Sequence, residues 1–102
     1  MSTKRLPPRI RMNEMTLAAL ALAVDHGYDR VTRDQVAAAC SVSPSAVQYH
    51  FPTMTQLRRS VMRAAVRHGN LPVIAQGLAA KDPIARRAAP DVQQAAAEGM
   101  LR

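Results

Sequence analysis

Cysteine is almost missing: Cys40 is the only one in 102 residues. That excludes an internal disulfide framework and any cysteine-based zinc site, and it fits a reducing compartment. Long apolar runs are missing too. No stretch approaches the roughly 20 residues that span a bilayer. The opening Met-Ser-Thr-Lys-Arg-Leu-Pro-Pro has no apolar segment behind it of the kind that directs secretion. A soluble, cytoplasmic, nucleoid-associated protein without a membrane partner is therefore expected. Acidic residues are scarce, 7 Asp and Glu against 14 Lys and Arg, for a formal charge of +7. This balance favours a polyanion such as DNA, RNA or an acidic membrane, and does not choose among them. No acid–base pair, no nucleophile beside a base and no phosphate-cradling glycine loop is visible, so no enzyme is expected. His26, His50 and His68 are too scattered for a metal site, and no cofactor is expected. Internal repeats, a sustained heptad seam and strand patterns are likewise absent.

What remains is helical. At 48% hydrophobic the chain can bury one compact core, not two of ordinary size. Residues 1–9 are polar, basic and punctuated by proline, and read as a flexible arm carrying Lys4 and Arg5. From Ile10 onward, Ile10, Leu17, Leu20, Ala21 and Val24 recur at helical spacing, predicting a first helix that ends near His26 with Gly27 as a left-handed cap. A second apolar row, Met12, Met15, Ala19 and Leu22, implies packing on two sides. Thr32 and Gln35 have capping-box spacing, starting a short helix through Cys40 with Val36, Ala37 and Cys40 inward. Ser41 and Val42 interrupt it, and Ser43-Pro44 start a third helix to about Tyr49. Two short helices joined by so tight a turn have the dimensions of a helix-turn-helix whose second member enters the major groove. Thr53 or Thr55 can cap a fourth helix with Leu57, Val61, Ala64, Ala65 and His68 on one face up to Gly69. Residues 73–80 predict another short helix, and two Ala-rich stretches follow at 84–89 and 92–101. The expected fold is all-α: a compact, homeodomain-like three-helix core with a helix-turn-helix over 10–69. Residues 70–102 form short C-terminal helices, read as a dimerisation element or a partly disordered tail.

Gly27-Tyr28, the run Val31-Thr32-Arg33-Asp34-Gln35-Val36-Ala37, then Cys40-Ser41-Val42-Ser43, and Val47-Gln48-Tyr49-His50-Phe51 with Leu57 beyond, resemble the DNA-binding domain of the TetR family of bacterial transcription regulators. The Tyr-x-Phe cluster after a serine-started helix is the most specific piece. The resemblance implies that Thr32 and Arg33 meet phosphates. Ser43, Pro44, Ser45, Ala46 and Gln48 would stand at the major groove, with Tyr49 and His50 against the sugar-phosphate backbone. Physical chemistry supports such roles: helix N-termini attract phosphate, glutamine pairs bidentately with adenine, and alanine can touch a thymine methyl. Lys4 and Arg5 would enter a minor groove; an arm without function is the competing reading.

The chain departs from the family where it has Ser41 for the usual turn glycine and Met54 for the usual phosphate-gripping lysine. It also departs after Gly69, where residues 70–102 replace a large ligand-binding and dimerising domain. No small-molecule ligand is expected from that remainder, and a shortened dimer contact would come from the C-terminal segment or from helices one and four. The expected function is sequence-specific transcription regulation, most simply repression, by a homodimer on an inverted-repeat DNA operator. The alternatives are an interaction protein that pairs with a full-length regulator and a nonspecific, charge-driven nucleic-acid binder. Blander readings stand beside the sharp ones. Gln48 could be solvated, Ser43 is needed as a cap with or without DNA, Phe51 anchors the core, and Tyr49 could pack its ring while its hydroxyl meets phosphate. Cys40 reads as a small buried apolar group, and Arg58, Arg59, Arg63 and Arg67 read as a solvated basic row, with a protein contact as the other option.

Overall fold

Capping residues set most of the helix boundaries in the computed structural model, which describes residues 7–100. Lys4 and Arg5, the residues expected at the minor groove, lie outside the described residues. Among the described residues there are seven helices and no strand: α1 (Pro8–His26), α2 (Arg33–Cys40), α3 (Pro44–His50), α4 (Met54–His68), α5 (Leu71–Ala79), α6 (Pro83–Arg86) and α7 (Pro90–Met100). α1 begins inside the segment read as an arm, with Pro8 at a first-turn position where its missing N–H is not needed. Thr32 and Thr53 each form a complete capping box, with Gln35 and Gln56. Gly69 ends α4 in the left-handed conformation (φ 66°, ψ 35°). Gly27 ends α1 at φ 97°, ψ 136°, so its angles are positive in φ but not those of a left-handed helical cap.

The buried face of α1 differs from the first row read in the sequence. Met15, Thr16, Ala19, Leu20 and Ala23 are buried, whereas Ile10, Leu17 and Val24 are 40–42% exposed and Ala21 is exposed. α1 is apolar around most of its circumference, so periodicity alone does not choose a face. Contacts with α2, α4 and α5 choose it. Ala19 and Ala23 let those helices approach closely. Thr16 can be buried because its hydroxyl lies 2.9 Å from the Met12 carbonyl and 2.7 Å from the Ser60 hydroxyl of α4, which removes the penalty of an unpaired polar group.

α4 packs Leu57, Val61, Met62, Ala64 and Ala65 inward, while His68 is exposed at its end instead of continuing that face. α5 joins the same core through Val73 and Ile74, both fully buried. Its Gln76 side chain spans to the end of α1, donating to the Ala23 carbonyl (2.9 Å) and accepting the Tyr28 N–H (2.8 Å). Gly77 lets α5 come close to α4 and α6. A Cβ there would lie 2.5 Å from the Met62 methyl and 2.8 Å from the Ala85 Cβ. Asp82 caps α6, accepting the N–H groups of Ile84 and Ala85. α7 packs against α5, adding Ala96 to one hydrophobic cluster that extends back to Met15.

Candidate nucleic-acid interface

The candidate interface is built on α2 and α3. The Thr32 hydroxyl accepts the Gln35 N–H (3.2 Å) and the Gln35 side chain accepts the Thr32 N–H (3.0 Å), so the start of α2 is fixed from both ends. Val36 and Ala37 bury its inner face, with Cys40 half-buried behind them. Burial and the nearby Glu14 carboxylate push the Cys40 thiol above its usual range, so it is a poor nucleophile. The turn reverses at Ser41, which adopts φ 55°, ψ 43°, and the Val42 N–H closes it on the Ala37 carbonyl at 3.0 Å. The family's usual glycine is thus replaced without loss of the left-handed geometry glycine would favour.

Ser43 then caps α3, its hydroxyl accepting the Ala46 N–H at 3.2 Å. Val47 and Phe51 anchor this helix in the core. Ala46 is half-buried against the same core, so its methyl faces largely inward. Ser45, Gln48 and Tyr49 are exposed. Their i, i+3, i+4 spacing puts them on one outward face. Tyr49 is 80% exposed, so its ring is not packed into the core. Its neighbour His50 is half-buried and meets that ring edge-on, with centroids 5.1 Å apart.

Thr32, Arg33, Pro44, Ser45 and Gln48 come together around one open groove of 520 Å³. His50 lines a separate depression with Phe51 and Arg59. Asp29, Arg30 and Arg58, not singled out for this groove in the sequence, also border it, as does Met54. Nothing local in the sequence marks Arg30 or Arg58, because the fold alone carries them there. Two arginines here also hold the scaffold. Arg33 donates to the Pro52 carbonyl (2.9 Å), tying the start of α2 to the α3–α4 turn, and Arg58 donates to the Asp29 carbonyl (3.3 Å). Each keeps a buried Nε without an acceptor. Met54 is half-buried against the core, so the position where the family has a lysine contributes packing and no charge. Arg30, Arg33 and Arg58 outweigh Asp29 and Asp34 around the groove, a modest positive balance suited to a phosphate backbone.

No helix among the described residues is long and apolar enough to cross a membrane. Neither a curated protein nor a solved structure matches the chain. Residues 16–61 match the family of bacterial regulatory proteins, tetR family.

Proposed function

With residues 16–61 a TetR-family helix-turn-helix DNA-binding domain, we propose that this protein is a non-enzymatic transcriptional repressor that occupies an inverted-repeat operator as a homodimer, at the nucleoid in the cytoplasm. One observation carries the reading: α3 spends Val47 and Phe51 on the core, sets Ser45 and Gln48 beside Thr32 and Arg33 on one groove, and leaves Tyr49 exposed on the same helix face. In this reading Gln48 pairs with a base edge, Ser45 lies next to it in the major groove, and the Tyr49 hydroxyl meets a phosphate. Ser43 and Pro44 shape the helix start, Ala46 supports it by packing, and His50 steadies the Tyr49 ring. Thr32 and Arg33 hold the opposite phosphate. A guanidinium has five N–H donors, so the bond from Arg33 to Pro52 leaves others free. Lys4 and Arg5 add a minor-groove contact.

Two copies related by a twofold axis would set their α3 helices about 34 Å apart, one turn of DNA. Apolar surface suited to that contact exists in the cleft of 430 Å³ between α5 and α7, bordered by Leu71, Ala75, Ala79 and Ala96. The test is to select bound sequences from a random duplex library, then titrate the best one against scrambled DNA while recording the mass of the complex. Recovery of an inverted repeat held by two protomers about a thousandfold better than scrambled DNA is the expected result. Equal binding to both would replace the reading with a charge-driven binder, and binding to neither would replace it with an interaction protein.

A further inference from the structure

Much of the arginine on α4 lies away from the reading groove. Arg59 and Arg63 are exposed and one helical turn apart, so their side chains share a face. That face borders both the depression beside His50 and a cleft of 470 Å³ between α4 and α6, which Arg58 and Thr55 also line from α4, and Arg87 from the end of α6. Four arginines therefore line a cleft that holds one carboxylate, Asp82. That carboxylate is already engaged. One oxygen accepts the Ile84 and Ala85 N–H groups at 2.8 and 3.2 Å, and the other accepts the Tyr28 hydroxyl at 3.4 Å. Among the described residues, the arginine side chains that donate hydrogen bonds are Arg33 and Arg58, both to backbone carbonyls. Arg59, Arg63 and Arg87 are left with their forks unspent.

Four like charges set against a single counter-charge still repel one another, and an anion placed among them reduces that repulsion. Guanidinium forks match phosphate oxygens in geometry, and hydrogen bonds between such charged partners are the strong ones. The volume falls within the range of small-molecule sites. Pro83 and the half-buried Ile84 add an apolar wall, which an inorganic ion would leave unused. Burial and Asp82 both hold the Tyr28 phenol above its ordinary value, so the tyrosine adds no negative charge of its own. The cleft is open at the surface, unlike the enclosed chamber that the sequence argued against.

We infer that the cleft between α4 and α6 binds a small phosphate-bearing organic molecule, with the phosphate between Arg59, Arg63 and Arg87 and the organic part against Pro83 and Ile84. Phenyl phosphate is a suitable probe, titrated into the full chain carrying ¹⁵N-arginine, with inorganic phosphate and sulfate at matched ionic strength as controls. Saturable shifts of the Arg59, Arg63 and Arg87 Nε–Hε signals are expected, with phenyl phosphate bound at least tenfold more tightly than inorganic phosphate. The separate variants Arg63→Gln and Arg87→Gln, both at exposed positions, should each weaken it at least tenfold while the backbone amide spectrum keeps the native pattern. Shifts that do not saturate, or that are equally large at Arg9, Arg67 and Arg86, would overturn the site in favour of diffuse counterion binding. Equal affinity for phenyl and inorganic phosphate would overturn the organic ligand. Duplex DNA shifting these three arginines as strongly as the Gln48 amide would overturn the assignment in favour of a wider DNA footprint.

Discussion

In α3, Val47 is the only fully buried residue of seven, and three side chains face solvent on one side; α5 buries Val73, Ile74, Ala75 and Gly77 out of nine. The shorter helix is placed mainly from outside itself, by the Ser43 cap, the left-handed turn at Ser41 and Phe51 just past its end. The longer helix is placed by its own packing, down to the Gly77 contact with Met62 and Ala85. A helix held by its ends can give its side chains to another molecule. A helix held by its faces keeps only an outer strip free, here including Leu71 and Ala79, and the rest of its sequence is constrained by the volumes around it.

Ile74→Ala tests this difference most severely. Deleting a fully buried side chain of this size should cost about 3 kcal/mol. The buried residues of α1 to α7 form one cluster, so chemical denaturation and amide exchange should show α2 and α3 losing protection together with α5. Protection retained in α3 would mean that the two regions unfold independently. Gly77→Ala comes next, at about 2 kcal/mol destabilising by thermal melting. This reverses the sign expected of an exposed helix, where alanine is better than glycine by up to about 1 kcal/mol. Gln48→Ala probes the exposed face of α3: it should leave the melting temperature unchanged and weaken operator binding by about 1–2 kcal/mol while relaxing base preference. Equal loss on operator and random DNA would remove Gln48 as a base reader. Ser41→Gly should raise stability by something under 1 kcal/mol, because glycine enters the left-handed region without the steric penalty of a Cβ but loses more backbone freedom.

Smallest is a pH effect at Tyr28, whose backbone and hydroxyl join the α1–α2 loop to Gln76 of α5 and to Asp82. Burial first, then Asp82, raise its pKa above the ordinary 10.0. The unfolded chain therefore ionises before the folded one. The stabilisation is fully present below pH 10.0 and fades as the pH climbs through the higher folded value. Comparing denaturation of the protein and of Tyr28→Phe between pH 8 and 11 should show an alkaline decline that is steeper in the protein with tyrosine.

How much of this could be read in the sequence followed from distance along the chain. Caps and turns are local devices, and Thr32 with Gln35, Ser43 with Pro44, and Gly69 mark their helices because each partner lies within a few residues. α3 was legible for the same reason. The inner face of α1 was not, because Thr16 looks polar until Ser60 of α4 lies beside it, and Leu17 looks like core although none of the helices packed on α1 covers it. The groove was half legible. Thr32, Arg33, Ser45 and Gln48 fall within one motif, whereas Arg30 and Arg58 reach it through tertiary packing, and the tie from Arg33 to Pro52 crosses 19 residues.

That tie, and the matching one from Arg58 to Asp29, end on backbone carbonyls. A carbonyl does not titrate in the accessible range and arginine stays charged throughout it, so neither brace has a protonation state to lose. Acid that neutralises carboxylates would dissolve an arginine–carboxylate clamp in the same position. Here the angle at which α2 is presented, relative to the turn before α4, is independent of acidity through these two bonds.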